Sequence, residues 1–139
     1  VARLEFYIPG KPVAQGRPRA VAFKGHARVY QPQKSMSYQS IVSTYTYEAM
    51  GKAQIAEQIK APVRLSIEFR YPFPKSMAKY RQRDGMGKPT KPDLDNLLKA
   101  VLDGMSVLWG DDAQVVEIKA KKTMASAMPG VGVAVEWEE

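Results

Sequence analysis

Leu94, Leu97, Leu98, Val101, Leu102 and Met105 recur at the i, i+3, i+4, i+7 spacing of an amphipathic helix. No other stretch constrains the fold as tightly, because this helix, running from about Asp95 to Met105 or Leu108, must bury one face and keep the other wet. At about 100° per residue, Asp95, Lys99 and Asp103 share the wet face within roughly 80°. The buried face needs a partner layer, and alternating segments supply one. Leu4, Phe6 and Ile8 alternate within Arg3–Ile8. Val63, Leu65, Ile67 and Phe69 point one way within Val63–Tyr71, with Arg64, Glu68 and Arg70 among the alternates. Gln114–Lys122 and Val131–Trp137 read as two further strands, the last with Val131, Val133, Val135 and Trp137 on one face.

The remaining segments fit around these. Ala20–Phe23 and Ala27–Tyr30 flank Lys24-Gly25-His26 as a hairpin. Ser35 or Ser37 can cap a helix to about Gly51, striped by Tyr38, Ile41, Val42 and Tyr45. Its tyrosines read as core and rim residues. Pro9-Gly10-Lys11-Pro12, Pro72-Phe73-Pro74 and Met128-Pro129-Gly130 break the chain between elements. Residues 75–91 form a long polar connection with one short helix near Ser76–Arg83, and Phe73 at its start packs against the core or wedges into a ligand. The order β-ββ-α-β-α-β-β predicts an α/β fold, a single small domain over residues 1–139 with a mixed β-sheet flanked by helices. No repeat, linker or low-complexity segment interrupts it.

Charge narrows the partners. The 139 residues hold 21 Lys and Arg against 14 acids, a net charge of +7, which favours a polyanion. No acid lies between Glu5 and Glu48, a stretch that carries Lys11, Arg17, Arg19, Lys24, Arg28 and Lys34. Lys75, Lys79, Arg81, Arg83, Lys88 and Lys91 follow later with only Asp84 among them. Such runs are often solvated loops; beside one acidic focus they read as phosphate-binding walls. With no cysteine and one histidine, His26 in the hairpin turn, disulfides, a thiol nucleophile and a Cys/His zinc site are excluded. No apolar run approaches a membrane span and no signal-peptide pattern begins at Val1. The missing initiator Met suggests processing or trimming, and the lack of cysteine suits a cytoplasmic location.

The acidic focus is compact in sequence. Five of the six aspartates (Asp93, Asp95, Asp103, Asp111 and Asp112) fall between residues 93 and 112. Each has an ordinary explanation: Asp93 or Asp95 as helix N-cap, Lys99 in an i, i+4 ion-pair ladder with Asp95 and Asp103, Asp111-Asp112 as turn chemistry after Gly110. Together they point to more, because two adjacent carboxylates need a counter-charge, either a lysine or a hard divalent cation. Mg²⁺ takes oxygen ligands through one or two carboxylates, its waters and substrate phosphates. The second acidic pair could complete that site from the adjacent strand.

Lys91-Pro92-Asp93-Leu94-Asp95-Asn96-Leu97-Leu98-Lys99, then Leu102-Asp103, then Trp109-Gly110-Asp111-Asp112-Ala113-Gln114-Val115, resembles the signature of the RusA-type Holliday-junction resolvases, small endodeoxyribonucleases often carried by prophages. Gly10-Lys11-Pro12, Gly16-Arg17-Pro18-Arg19 and the basic strand Glu117–Lys122 are similar to the family less specifically. The resemblance implies a Mg²⁺-dependent homodimer, with Mn²⁺ a possible substitute, that nicks four-way DNA junctions symmetrically in recombination and repair. It places metal ligands at Asp93, Asp95 and Asp112 and the catalytic lysine at Lys99. Asp111 then stands behind the ligands or alternates with one, and Asp103 holds Lys99. One acidic constellation without a repeat gives one active site per chain, so two matched nicks call for a two-fold dimer. Exposed strand edges or the apolar C-terminal strand are the candidate contacts. The alternatives are a nuclease for flaps or replication forks, and a non-catalytic basic DNA-binding module.

Overall fold

The computed structural model describes residues 1–16, 19–23, 26–30 and 33–139, with side chains described for 1–16 and 37–139. The strands are β1 (Ala2–Pro9), β2 (Arg19–Phe23), β3 (His26–Tyr30), β4 (Val63–Tyr71), β5 (Met86–Gly87), β6 (Val115–Met124) and β7 (Gly130–Trp137). The helices are α1 (Gln33–Lys52) and α2 (Leu94–Met105). One sheet has the order β1-β7-β4-β6-β5, and β2 pairs with β3 antiparallel in a second ladder. Among the described strands, only β4 and β6 run parallel. The connection between them carries α2, so strand, helix and strand form the unit around which the site is built.

The register explains the layers. Leu4, Val135 and Leu65 lie side by side across β1, β7 and β4, as do Ile8, Val131 and Phe69. This face is the core, roofed by α1 and α2, and Trp109 and Leu108 are fully buried beneath it. The other face carries Arg3, Glu5 and Tyr7 of β1, Arg64, Glu68 and Arg70 of β4, and Lys119 and Lys121 of β6. No described helix covers that face. α1 and α2 approach closely at Gly104, where an added Cβ would stand 2.6 Å from Val42. Gly104 is thus required by packing rather than by backbone conformation.

The two-period and 3.6-period signals placed the regular elements correctly, and Val63–Tyr71 matches end for end. Four local expectations differ. α1 begins at Gln33, so Ser35 and Ser37 lie inside the helix rather than capping it. Ile41 is 44% exposed, because the buried stripe of α1 passes through Tyr38, Val42, Thr46, Ala49 and Met50. The segment Ser76–Arg83 forms only a 3₁₀ turn, Lys79–Arg81, with no buried residue that could hold a longer helix down. The C-terminal strand β7 is interior, with β1 on one side and β4 on the other, so its edges offer no contact. β5 is two residues long, too short for any alternation to reveal. It covers only Thr123 and Met124 of β6, and no described strand pairs with the outer edge from Val115 to Lys121. His26 opens β3 opposite Phe23, and the turn at 24–25 lies outside the described residues.

Candidate active site along helix α2

The N-terminal end of α2 starts abruptly. The Lys91–Pro92 peptide is cis, and Asp93 is extended at φ −69°, ψ 140°. Asp93 occupies the N-cap position and its backbone carbonyl accepts from the Leu97 amide at 3.2 Å. Its carboxylate makes no capping hydrogen bond. Asp95, exposed in the first turn, accepts from the Asn96 amide at 3.0 Å through Oδ1. The turn is braced from two sides. Lys122 Nζ donates to the carbonyls of Thr90 and Pro92, each at 2.7 Å. The Gln15 amide donates to the Asn96 carbonyl at 3.0 Å.

Lys99 follows one turn along the wet face, exposed, and Asp103 one turn further. Gln39 Nε2 of α1 donates to Asp103 Oδ2 at 3.3 Å and to Gln15 Oε1 at 2.9 Å. Partial burial raises the Asp103 carboxyl above the ordinary aspartate value, and the like charge of Asp112 raises it further, against the pull of Lys99. Asp112 in turn accepts from the Trp109 indole N–H at 3.2 Å. Asp111 caps a 3₁₀ turn, Asp112–Gln114: its Oδ1 accepts from the Ala113 amide at 2.9 Å, and Gln114 Oε1 accepts from the Asp111 amide.

α2 therefore separates the clustered aspartates into two groups. Asp93 and Asp95 stand at its start; Asp103 and Asp112 stand near its end. Eight residues at 1.5 Å rise place Asp95 and Asp103 about 12 Å apart along the axis. Among the described residues, no three acid or histidine side chains are grouped to hold a metal ion. The donors themselves suit a hard cation: carboxylate oxygens in the absence of imidazole or thiolate. The ion-pair ladder offered as the ordinary role of Lys99 is not formed. Every ion pair among the described residues uses a glutamate, and no aspartate takes part.

The predicted basic residues are spread along two loops. Lys75, Lys79, Arg81 and Arg83 lie exposed on the connection after β4, with Lys91 at its end. Asp84 pins this connection by accepting from the Ser126 amide at 2.8 Å. Phe73 is half-buried. Tyr71, the last residue of β4, donates its hydroxyl to the carbonyl of Pro12, the residue after Lys11, at 3.0 Å. Lys88 Nζ lies 5.1 Å from the Tyr71 ring centroid. Arg17 is outside the described residues, as is the side chain of Arg19. Sequence reasoning missed Lys122 as a brace and Gln39 as a link between helices. The signal for Lys122 was its phase: it falls on the apolar side of β6, in step with Ile118 and Ala120 and opposite Phe69.

A family profile described as Endodeoxyribonuclease RusA matches residues 9–136. A Bacillus subtilis (strain 168) protein, "Uncharacterized protein YqaN", is 32% identical over 126 residues, covering 86% of each chain. The "Crossover junction endodeoxyribonuclease rusA" of Lactococcus phage r1t is 29% identical over 120 residues, covering 85% of each. The family match spans every element from the end of β1 to β7 and all five clustered aspartates. The chain belongs to the RusA endodeoxyribonuclease family.

Proposed function

We propose that this chain is a divalent-metal-dependent endodeoxyribonuclease, served by Mg²⁺ with Mn²⁺ as a substitute, that resolves four-way DNA junctions by paired symmetric nicks in recombination and repair. The observation that carries the reading is that, among the described residues, none of the clustered aspartates forms an ion pair, in a chain of net charge +7. Carboxylates without a described cation partner suit a metal ligand. Asp93, Asp95 and Asp112 are the proposed ligands. When bound, the ion lowers the pKa of water and offsets charge on the phosphate. Lys99, on the same helix face, stabilises negative charge developing at the phosphate or orients the attacking water. Asp111 acts through the turn that presents Asp112, and Asp103 with Gln39 fixes the far end of the helix.

The placing of Asp93 and Asp95 at the start of α2 and of Asp112 after its end bears on the homodimer. Lys122, near the end of β6, holds the turn before Asp93, whereas Asp112 lies three residues before β6 begins. If the open β6 edges of two copies pair antiparallel, the end of each strand approaches the start of the other. Asp112 of one copy then approaches Asp93 and Asp95 of its partner, and the dimer holds two equivalent sites related by the two-fold axis. Val116, 63% exposed, and Ile118, 39% exposed, lie on this segment.

Cleavage of four-way junctions, flaps, forks and linear duplex in Mg²⁺ at matched salt tests the reading, since phosphate-driven binding changes steeply with salt. Preference for four-way junctions with paired nicks is expected. Preference for flaps or forks, or nicks on one strand only, would replace it with the branch-nuclease alternative; binding without metal-dependent cleavage would leave a DNA-binding module. The shared site has its own test. Asp95→Asn and Asp112→Asn chains mixed to form heterodimers should regain one working site and nick one strand, whereas sites complete within each chain would stay dead.

A further inference from the structure

We propose that Lys11, Lys88 and Lys122 form a seat for one backbone phosphate of the DNA, beside Asp93 and at the carboxyl ends of β4 and β6; this rests on the DNA-acting reading above. The three ammonium groups arrive from separate elements: the loop after β1, the loop after β5, and β6 itself. Tyr71 links the first two segments: its hydroxyl donates to the carbonyl of Pro12, next to Lys11, and Lys88 lies over its ring. The Lys88 amide donates to the Lys122 carbonyl at 3.1 Å, which locks the second lysine to the third. Burial, then the like charges of Lys122 and Lys11, hold the Lys88 ammonium pKa below the ordinary lysine value.

Nothing within the described residues neutralises this cluster. None of the three lysines has a carboxylate within ion-pair distance, and the sequence has no acid from residue 6 to 47 that could supply one. Like charges brought together oppose folding unless an anion joins them. The donors left over match a phosphodiester. Lys122 spends two of its three N–H bonds on the Thr90 and Pro92 carbonyls, and Lys88 spends one on Thr90 Oγ1 at 2.8 Å. Three N–H bonds remain on these two lysines for two non-bridging oxygens carrying one charge. The position is also where parallel strands place anions, at their carboxyl ends beside a helix N-terminus. Lys122 thereby couples two tasks, since the group that braces the acidic turn also faces the strand to be cut.

The test uses the full chain and four-way junctions, with binding measured in the absence of divalent metal from about 50 to 200 mM salt. Lys11→Gln, Lys88→Gln and Lys122→Gln should each weaken binding by about three- to tenfold and reduce the salt slope by about 0.9, as loss of one phosphate contact does. A single methylphosphonate is then walked along the strand near the branch. At one position it should weaken wild-type binding and erase the extra loss in all three variants. Losses that persist at every methylphosphonate position would overturn the seat, as would unchanged binding by Lys11→Gln and Lys88→Gln. Those two variants carry the test if Lys122→Gln fails to fold, because neither side chain holds a backbone carbonyl. Wild-type cutting in Mg²⁺ is scored separately and decides only the nuclease reading; the methylphosphonate map decides the seat.

Discussion

The carboxylates of the bare sheet face and those along α2 are treated in opposite ways. On the sheet face, Glu5 and Glu136 pair with Arg3, Glu136 and Glu138 with Arg64, and Glu68 with Arg70 and Lys121. Along α2, none of the five aspartates pairs with a cation among the described residues, although Lys99 is four residues from both Asp95 and Asp103. Exposed ion pairs are worth little, about 0–1 kcal/mol each, so stability does not demand the difference. The proposed metal site accounts for it: a carboxylate already held by arginine is a poor ligand, whereas an unpaired one is available to a cation.

The largest effect expected from this contrast is loss of cleavage. Asp95→Asn or Asp112→Asn should reduce Mg²⁺-dependent cleavage of a four-way junction by at least roughly a hundredfold while leaving binding intact or tighter, since a negative charge facing phosphate is removed. Near-normal cleavage by both would erase the distinction between the two acid sets. Lys99→Ala should come next, with single-turnover cleavage slowed by roughly ten- to a hundredfold. Its melting temperature should barely move, because an i, i+4 pair is worth only about 0.3–0.5 kcal/mol and this one is not formed. A fall in Tm with an unchanged rate per folded molecule would make Lys99 structural.

Asp111→Asn sharpens the contrast within the aspartates. Asparagine keeps the capping acceptor, so Tm should hold within about 2 °C and cleavage within a fewfold. A loss as deep as that of Asp112→Asn would instead put Asp111 on the metal. The smallest effect belongs to the sheet face. Burial pushes the Glu68 carboxyl up, but hydrogen bonds from Arg70 and Thr123 and the charges of Arg70 and Lys121 prevail, leaving it below its ordinary 4.5. A depressed carboxyl contributes stability above its unfolded pKa and loses it as pH falls through the folded one. Glu68→Gln should therefore lower stability at neutral pH by about 1 kcal/mol or less, with the two curves converging in acid and cleavage unaffected. A pH-independent gap in Tm would assign the effect to packing.

Legibility in the sequence followed the range of the interactions. Strands and helices announce themselves through side chains two to four residues apart, which is why the alternation of β4 and the stripe of α2 translated directly into structure. Ile41 failed for the same reason in reverse: an apolar residue one position off the stripe keeps its hydropathy but not its burial. The acidic window was legible as a composition, not as a geometry. Twenty residues looked like one cluster, yet twelve of them are helix, and a helix is a spacer as much as a scaffold. Lys122 and Gln39 were hidden because their contacts cross 30 and 64 residues of chain.

The open edge of β6 has a consequence for solubility. A strand edge with exposed Val116 and Ile118 is a template for endless stacking unless its neighbours prevent it. Glu117, Lys119 and Lys121 project from alternate positions on the sheet's bare side. An in-register parallel stack would set each of these against its own copy, glutamate on glutamate and lysine on lysine, which is unfavourable. An antiparallel partner can oppose Glu117 with Lys119 or Lys121. The charge order along seven residues thus rejects a growing fibril and admits a closed pair, in which the edge is used up once and for all.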